Sequence, residues 1–397
     1  MRGPQRHGQH PLLLVAALTL VAVIVLVAVI VVRQDRGDGR DDAPSTSATA
    51  SSTTGSTAGS TAGSTTGSSG ASSGAAIGDA DQQRLLANRG GFGGSVTGGA
   101  GGRIVHVTSD ADSGPGSLRR AVAGSRPTWV VFDQDLTITL TSPIEVGSNT
   151  TIDGRGHAVE LTGHGVQGLQ LEHVSNVIIE SLTLHDFGDV AKTSDNDLPD
   201  AIHLDGANGV WIDHNDLSMA GDKLIGISEG STAVTVSWNH FHDQEQTLQI
   251  GNQATAAVDR KQTVTVDHNF FDRIGYRAPV VSYGMAHVYD NYYLDWRLYA
   301  VRTERLAQVY LENNVFVGSR SKRTVLTSPQ GDGCNDARTR CDRRDGLLKA
   351  VGNQVTDARK IRDVDGEGVF TPSYDYDAEP AGARLVREIK AGAGPQG

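Results

Sequence analysis

The chain has 397 residues, enough for one large domain with additional segments, and 48 of them are glycine. Helical periodicity is scarce, which suits an all-β chain with many turns. A formal net charge of −11 sets nucleic acid aside as a partner.

In chain order, Arg2 and Arg6 precede an uncharged apolar run from Leu12 to Val32, 21 residues long and followed by Arg33. That length spans a bilayer. No small-residue cleavage site stands out, so an uncleaved anchor is favoured over a signal segment. The basic flank puts a short cytoplasmic N-terminus, residues 1–11, inside, and the bulk of the chain outside. Residues 33–76 form a flexible linker, and Ala43–Ala76 is almost wholly Ser, Thr, Gly and Ala. One domain is expected over 77–397. Ser113–Val122 reads as a short helix start that caps the open end of the fold. Cys334 and Cys341 flank a polar loop and suit a local disulfide outside the membrane.

One phrase recurs through the domain. It reads VWIDHN, VTVSWN, VTVDHN, AHVYDN, VYLENN and LKAVGN, and ends at Asn215, Asn239, Asn269, Asn291, Asn314 and Asn353. The steps are 24, 30, 22, 23 and 39 residues. Alternation with period two marks each phrase as a strand, and a repeat near 22 residues marks a solenoid. Stacked parallel coils at roughly 4.8 Å give a right-handed parallel β-helix. Each Asn then occupies one corner, where its amide can bond along the stack. An earlier coil has Leu182 in the Asn place, so the ladder is expected to start after it.

The repeat also acts as a ruler. Counting seven or eight residues past each Asn reaches Asp222, Gln246 and Arg277, and Asp200 stands 22 residues before Asp222. These four are expected in one vertical column, with Tyr299, Arg297 and Arg302 above. Acidic groups beside basic ones on an extended sheet suit an anionic polymer held partly by a cation. A solvated face with ordinary surface ion pairs is the plainer alternative. The histidines at 203, 214, 240, 242, 268 and 287 follow the repeat and read as packing or corner residues. None is assigned to metal.

The stretch Gly90–Gly102, SNTTIDGRG at Ser148–Gly156, DAI at Asp200–Ile202, VWIDHN and YRAP at Tyr276–Pro279 together resemble the pectate/pectin lyase family, the family 1 polysaccharide lyases. The resemblance covers about Phe92 to Phe316. It implies a parallel β-helix that cleaves an acidic plant-type polyuronate by β-elimination, with an Arg base and a bridging Ca²⁺. Carried over, Arg277 matches the base, and Asp200 and Asp222 match calcium ligands. The remaining substrate-binding candidates are Gln246, Ser282, Lys223, Arg297 and Arg302.

Several positions depart from the family pattern. Leu198 stands where a further Asp is expected, with Asp195 or Asp197 as possible substitutes. Gly226 stands for a calcium-binding Asp, Ser228 and Gln246 for lysines, and Ser282 for a second Arg. Three readings remain. The first is a calcium-assisted pectate lyase. The second is a calcium-poor lyase on methylated pectin or another uronan, with Lys223, Arg273, Arg297 or Arg302 as cations. The third is a non-catalytic surface β-helix that binds polysaccharide. The chain is expected to act as a monomer.

Overall fold

The computed structural model describes residues 79–188, 198–252, 256–318, 325–327, 346–358, 361 and 366–396. The apolar run, the linker, the cysteine loop, and Asp195 and Asp197 lie outside them. Among the described residues no helix is long and apolar enough to cross a membrane.

Three sheets of ten, eight and nine strands run the length of the domain, and successive coils pair parallel in each. This is the expected parallel β-helix. In the ten-stranded sheet the repeat stacks in register: Val210 faces Val234, Val234 faces Val264, Val264 faces Ala286, and Ala286 faces Val309. All five are fully buried. Alternate residues point into the coil because strand side chains alternate between faces. Phe241, Phe271, Tyr293 and Phe316 form a second internal file, with ring centroids 4.9, 4.6 and 4.3 Å apart.

The corner asparagines form the expected ladder. Each Nδ2 donates to the Oδ1 of the next Asn at 2.9–3.0 Å, from Asn215 through Asn353. The two N–H groups of each Nδ2 are shared between that oxygen and two backbone carbonyls; for Asn239 these are Ile212 and Ser237. The ladder begins where Leu182 N–H donates to Asn215 Oδ1. The residue before each ladder Asn has positive φ: His214, Trp238, His268, Asp290, Asn313 and Gly352, at +52°, +53°, +54°, +52°, +52° and +66°. Only a left-handed residue turns the strand tightly enough here, and the Asn hydrogen bonds hold it there. His214 and His268 also stack on Trp238 between them, which fits the reading of the two histidines as corner residues.

Both ends of the domain fold back along the solenoid. The helix Asp79–Ala87 packs Leu85 and Leu86 near Trp129, Ile178 and Trp211 on the outer face of the ten-stranded sheet. The Gly-rich stretch then crosses that face, with Gly93 N–H on Thr235 Oγ1 and Gly99 N–H on Thr151 Oγ1. A Cβ at Gly98 would stand 2.0 Å from Thr151 Oγ1, so the close approach excludes any side chain. The short helix Leu118–Ala121 starts at Ser117, and Leu118 joins the core beside the first strands.

After the last coil the chain reverses. Tyr376 bonds Glu312, Glu379 N–H bonds Asp290, and the helix Ala383–Gly392 buries Leu385 and Ile389 against Tyr292 and Val315. Gly394 N–H then reaches Trp238 O, and Gln396 N–H reaches Ser181 Oγ.

On the outer face of the ten-stranded sheet, Glu180 and Asp213 are register partners and both are buried. Burial pushes both carboxyls up, and the Asp213 charge pushes Glu180 further; Asp213 rises to about 8. The fold therefore retains a proton that the unfolded chain gives up near pH 4. Stability contributed here falls as pH rises between about 4 and about 8.

Two outcomes follow from these contacts. Asn239→Ala orphans buried groups on two coils and should cost on the order of 3 kcal/mol in urea unfolding, whereas Asn353→Ala at the half-exposed end of the ladder should cost much less. Asp213→Asn removes a penalty that grows with pH. Its melting temperature relative to the parent chain should therefore climb as pH is raised toward 8, and a gap that stays flat would contradict the raised Asp213 carboxyl.

Candidate active site

The eight-stranded sheet carries the expected column with two shifts in register: Lys223 stands in place of Asp222, and Tyr276, not Arg277, pairs with Gln246. Ile202 faces Ile225, so counting back two residues sets Lys223, not Asp222, one coil above Asp200. Lys223 faces Gln246, and Gln246 bridges to Tyr276. The corner after Asn215 is one residue longer than those after Asn239 and Asn269. The seven-residue count therefore stops on the last corner residue, Asp222.

Side chains still bring Asp200, Asp222, Lys223 and Gln246 together. The Lys223 ammonium lies 3.2 Å from Asp200 Oδ1 and also pairs with Asp222 Oδ2. Gln246 Nε2 donates to Asp222 Oδ1 at 2.7 Å. Burial pulls the Lys223 pKa down, but the charges of Asp200 and Asp222 outweigh it, and the net shift is upward.

His203, read from sequence as a packing residue, belongs to this group. Its Nδ1 is 2.6 Å from Asp200 Oδ2, and its Nε2 is 3.1 Å from Asp205 Oδ1. Burial disfavours the imidazolium, yet hydrogen bonds to the two carboxylates raise its pKa to about 9. The sequence did carry a signal: His203 follows Asp200 by three residues on the same coil.

Calcium takes six to eight oxygens. Asp200 gives one oxygen to Lys223 and the other to His203, and Asp222 gives its two to Lys223 and Gln246. Gly226 brings none. A Cβ at 226 would stand 2.6 Å from Asp200 Oδ2 and 2.9 Å from His203 Nδ1, so the His203–Asp200 pair occupies the space a carboxylate would need. This donor set does not fit calcium.

Arg277 lies higher on the same sheet, in a cleft of about 330 Å³ lined also by Gln249, Tyr276, Ser282, Tyr299, Arg302 and Glu304. Its Nη1 donates to Gln249 Oε1 at 2.6 Å, and no ion pair to it is found among the described residues. Its φ is +60°, but positive φ recurs at the corners of this chain, so strain alone does not single it out.

The other basic candidates are spread out. Arg302 shares the cleft and pairs with Glu304 at 2.8 Å. Ser282 Oγ donates to Glu304 Oε2 at 3.2 Å, and Arg305 holds the same oxygen. Arg297 stands exposed outside the cleft, bound to Glu245. Arg273 is held by Asp272 at 2.7 Å on the nine-stranded sheet, away from the column. Gln249 and Glu304 went unnoticed in the sequence because neither sits at a counted position.

Residues 20–396 match the family profile described as pectate lyase. The chain is 35% identical over 271 residues to Pectate lyase 1 of Juniperus ashei, an overlap of 64% of this chain and 74% of that protein. Against Probable pectate lyase 6 of Arabidopsis thaliana it is 33% identical over 260 residues, 60% of this chain and 56% of the relative. Among solved structures, Jun a 1, the major allergen from cedar pollen, aligns at 28% identity with a TM-score of 0.69, covering 80% of this chain and 96% of that one. Pectate lyase Bsp165PelA of Bacillus sp. N165, solved with trigalacturonate, shares the fold at 22% identity and a TM-score of 0.56, covering 77% and 98%. With a profile match along nearly its whole length, this chain belongs to the pectate lyase family.

Proposed function

We propose that the chain is a polysaccharide lyase that cleaves a polyuronate by β-elimination without calcium, using Arg277 as base and Lys223 as a built-in cation. The observation that carries this reading is Arg277 in an open cleft, partnered by a neutral amide. No carboxylate among the described residues ties its guanidinium down.

An extended anionic polymer lying along the stack meets both groups. Lys223 and the Arg277 coil are two coils apart, roughly 10 Å at strand spacing. An ammonium has three N–H groups. Two face Asp200 and Asp222, and the third serves a substrate carboxylate. At the cleft, Arg277 takes the proton from C5 of a uronate. The C5–H electron pair forms the C4–C5 double bond, the C4–O4 bond breaks, and O4 leaves on C1 of the neighbouring sugar on the non-reducing side, where it takes a proton from water to become that fragment's reducing-end hydroxyl. The costly charge is the enolate that develops on the uronate carboxylate, and Arg302 stands in the same cleft to neutralise it. We place this domain outside the cell, held by the apolar run 12–32 and its linker.

Purified chain supplied with pectate, methylated pectin and other uronans should release unsaturated uronate products, read by ultraviolet absorbance. Arg277→Lys should lower that signal on the order of a thousandfold with the circular dichroism spectrum unchanged. Polymer binding with no unsaturated product on any substrate would favour the binding-only reading, for which the neutral Gln246 and Ser282 speak. A second measurement addresses the cation. Product release should be indifferent to EGTA and should drop in Lys223→Met; strict dependence on added calcium would overturn the built-in cation.

A further inference from the structure

The nine-stranded sheet carries a second cluster that the lyase reading does not use. The strand His240–His242 reads HFH, so both imidazoles point outward while Phe241 fills the core. Asp216 faces His240 from the coil below. His240 Nδ1 lies 2.8 Å from Asp216 Oδ2, and His242 Nε2 lies 2.9 Å from Asp216 Oδ1. The three donor atoms all fall within 4.8 Å of one another.

The surroundings match those of metal-ligating histidines. Such a ring normally turns its other nitrogen to a carboxylate, which fixes its orientation. Here His242 Nδ1 is 2.7 Å from Asp243 Oδ2, and His240 Nε2 is 3.9 Å from Asp272 Oδ2. His240 Nε2 is buried and makes no hydrogen bond among the described residues. The rings are held in place by stacking: His240 against His242 at 4.6 Å, and His240 against Phe270 at 5.0 Å. The group is half-buried, so an ion can enter from solvent.

We propose that Asp216, His240 and His242 form a binding site for a divalent first-row transition ion, of which zinc is the representative. Two imidazoles and one carboxylate select such ions over calcium and magnesium, which prefer all-oxygen shells. The ion joins two successive coils across the outer face of the sheet. Asp243 acts as a positioning residue through the His242 ring. The site is separate from the Arg277 cleft and stands whether or not the chain is a lyase.

The test is a zinc titration by calorimetry on the full chain carrying no added histidines, with cobalt absorption as a second probe. One equivalent should bind and raise the melting temperature, and cobalt should report nitrogen ligation. Asp216→Asn and His242→Gln should each abolish the tight binding, and Asp243→Asn should weaken it about tenfold. Asp200→Asn combined with Asp222→Asn should leave it intact. Absence of zinc and cobalt uptake by the unmodified chain overturns the site whatever the variants do. Uptake that persists in Asp216→Asn and His242→Gln also overturns it.

Discussion

Everything in this molecule depends on the vertical hydrogen bond between corner asparagines. A parallel stack needs each coil to turn at the same height as the one below, and a turn with positive φ is costly for residues such as Trp238 and Asp290. The buried amide offsets that cost because it bonds the coil below, its own coil and the coil above. Register is thereby fixed on all three sheets. A slip of one residue would turn every core side chain outward.

That same rule shows how much was legible from sequence. The ladder, its start after Leu182, the buried strand faces and the meeting of Asp200, Asp222 and Gln246 followed from period and phase. The count of seven, seven and eight residues past Asn215, Asn239 and Asn269 puts the longer corner after Asn269, whereas the structure has it after Asn215, and Tyr276 rather than Arg277 meets Gln246. One extra residue after Asn215 puts Lys223 in the column and moves Asp222 to its edge. The ruler also contained the Asp216–His240 step of 24 residues. HFH on a strand places two imidazoles on one face, a spacing of two that a search for helical metal-binding pairs passes over. The C-terminal return carries no period, so nothing in its sequence pointed to where it would lie.

The column is held together by charges of both signs rather than by any one pair. Glycine at 226 frees the space into which the Asp200–His203 pair fits, and Lys223 supplies positive charge next to two carboxylates. The groups present are mutually consistent: two carboxylates, Asp200 and Asp222, stand beside an ammonium and an imidazole whose pKa is raised to about 9.

The returning C-terminal segment alters the kind of folding unit this is. A bare solenoid is nearly one-dimensional, because each coil touches only its neighbours and can fray from its end. Here residues from Tyr376 to Gln396 touch Glu312, Asp290, Trp238 and Ser181 in turn, passing from late coils to an early one. Opening the last coil therefore disturbs a strap whose other end is fastened several coils away. The stack behaves as a closed loop of contacts rather than an open file, and its assembly is not complete until the segment from Tyr376 to Gln396 has docked.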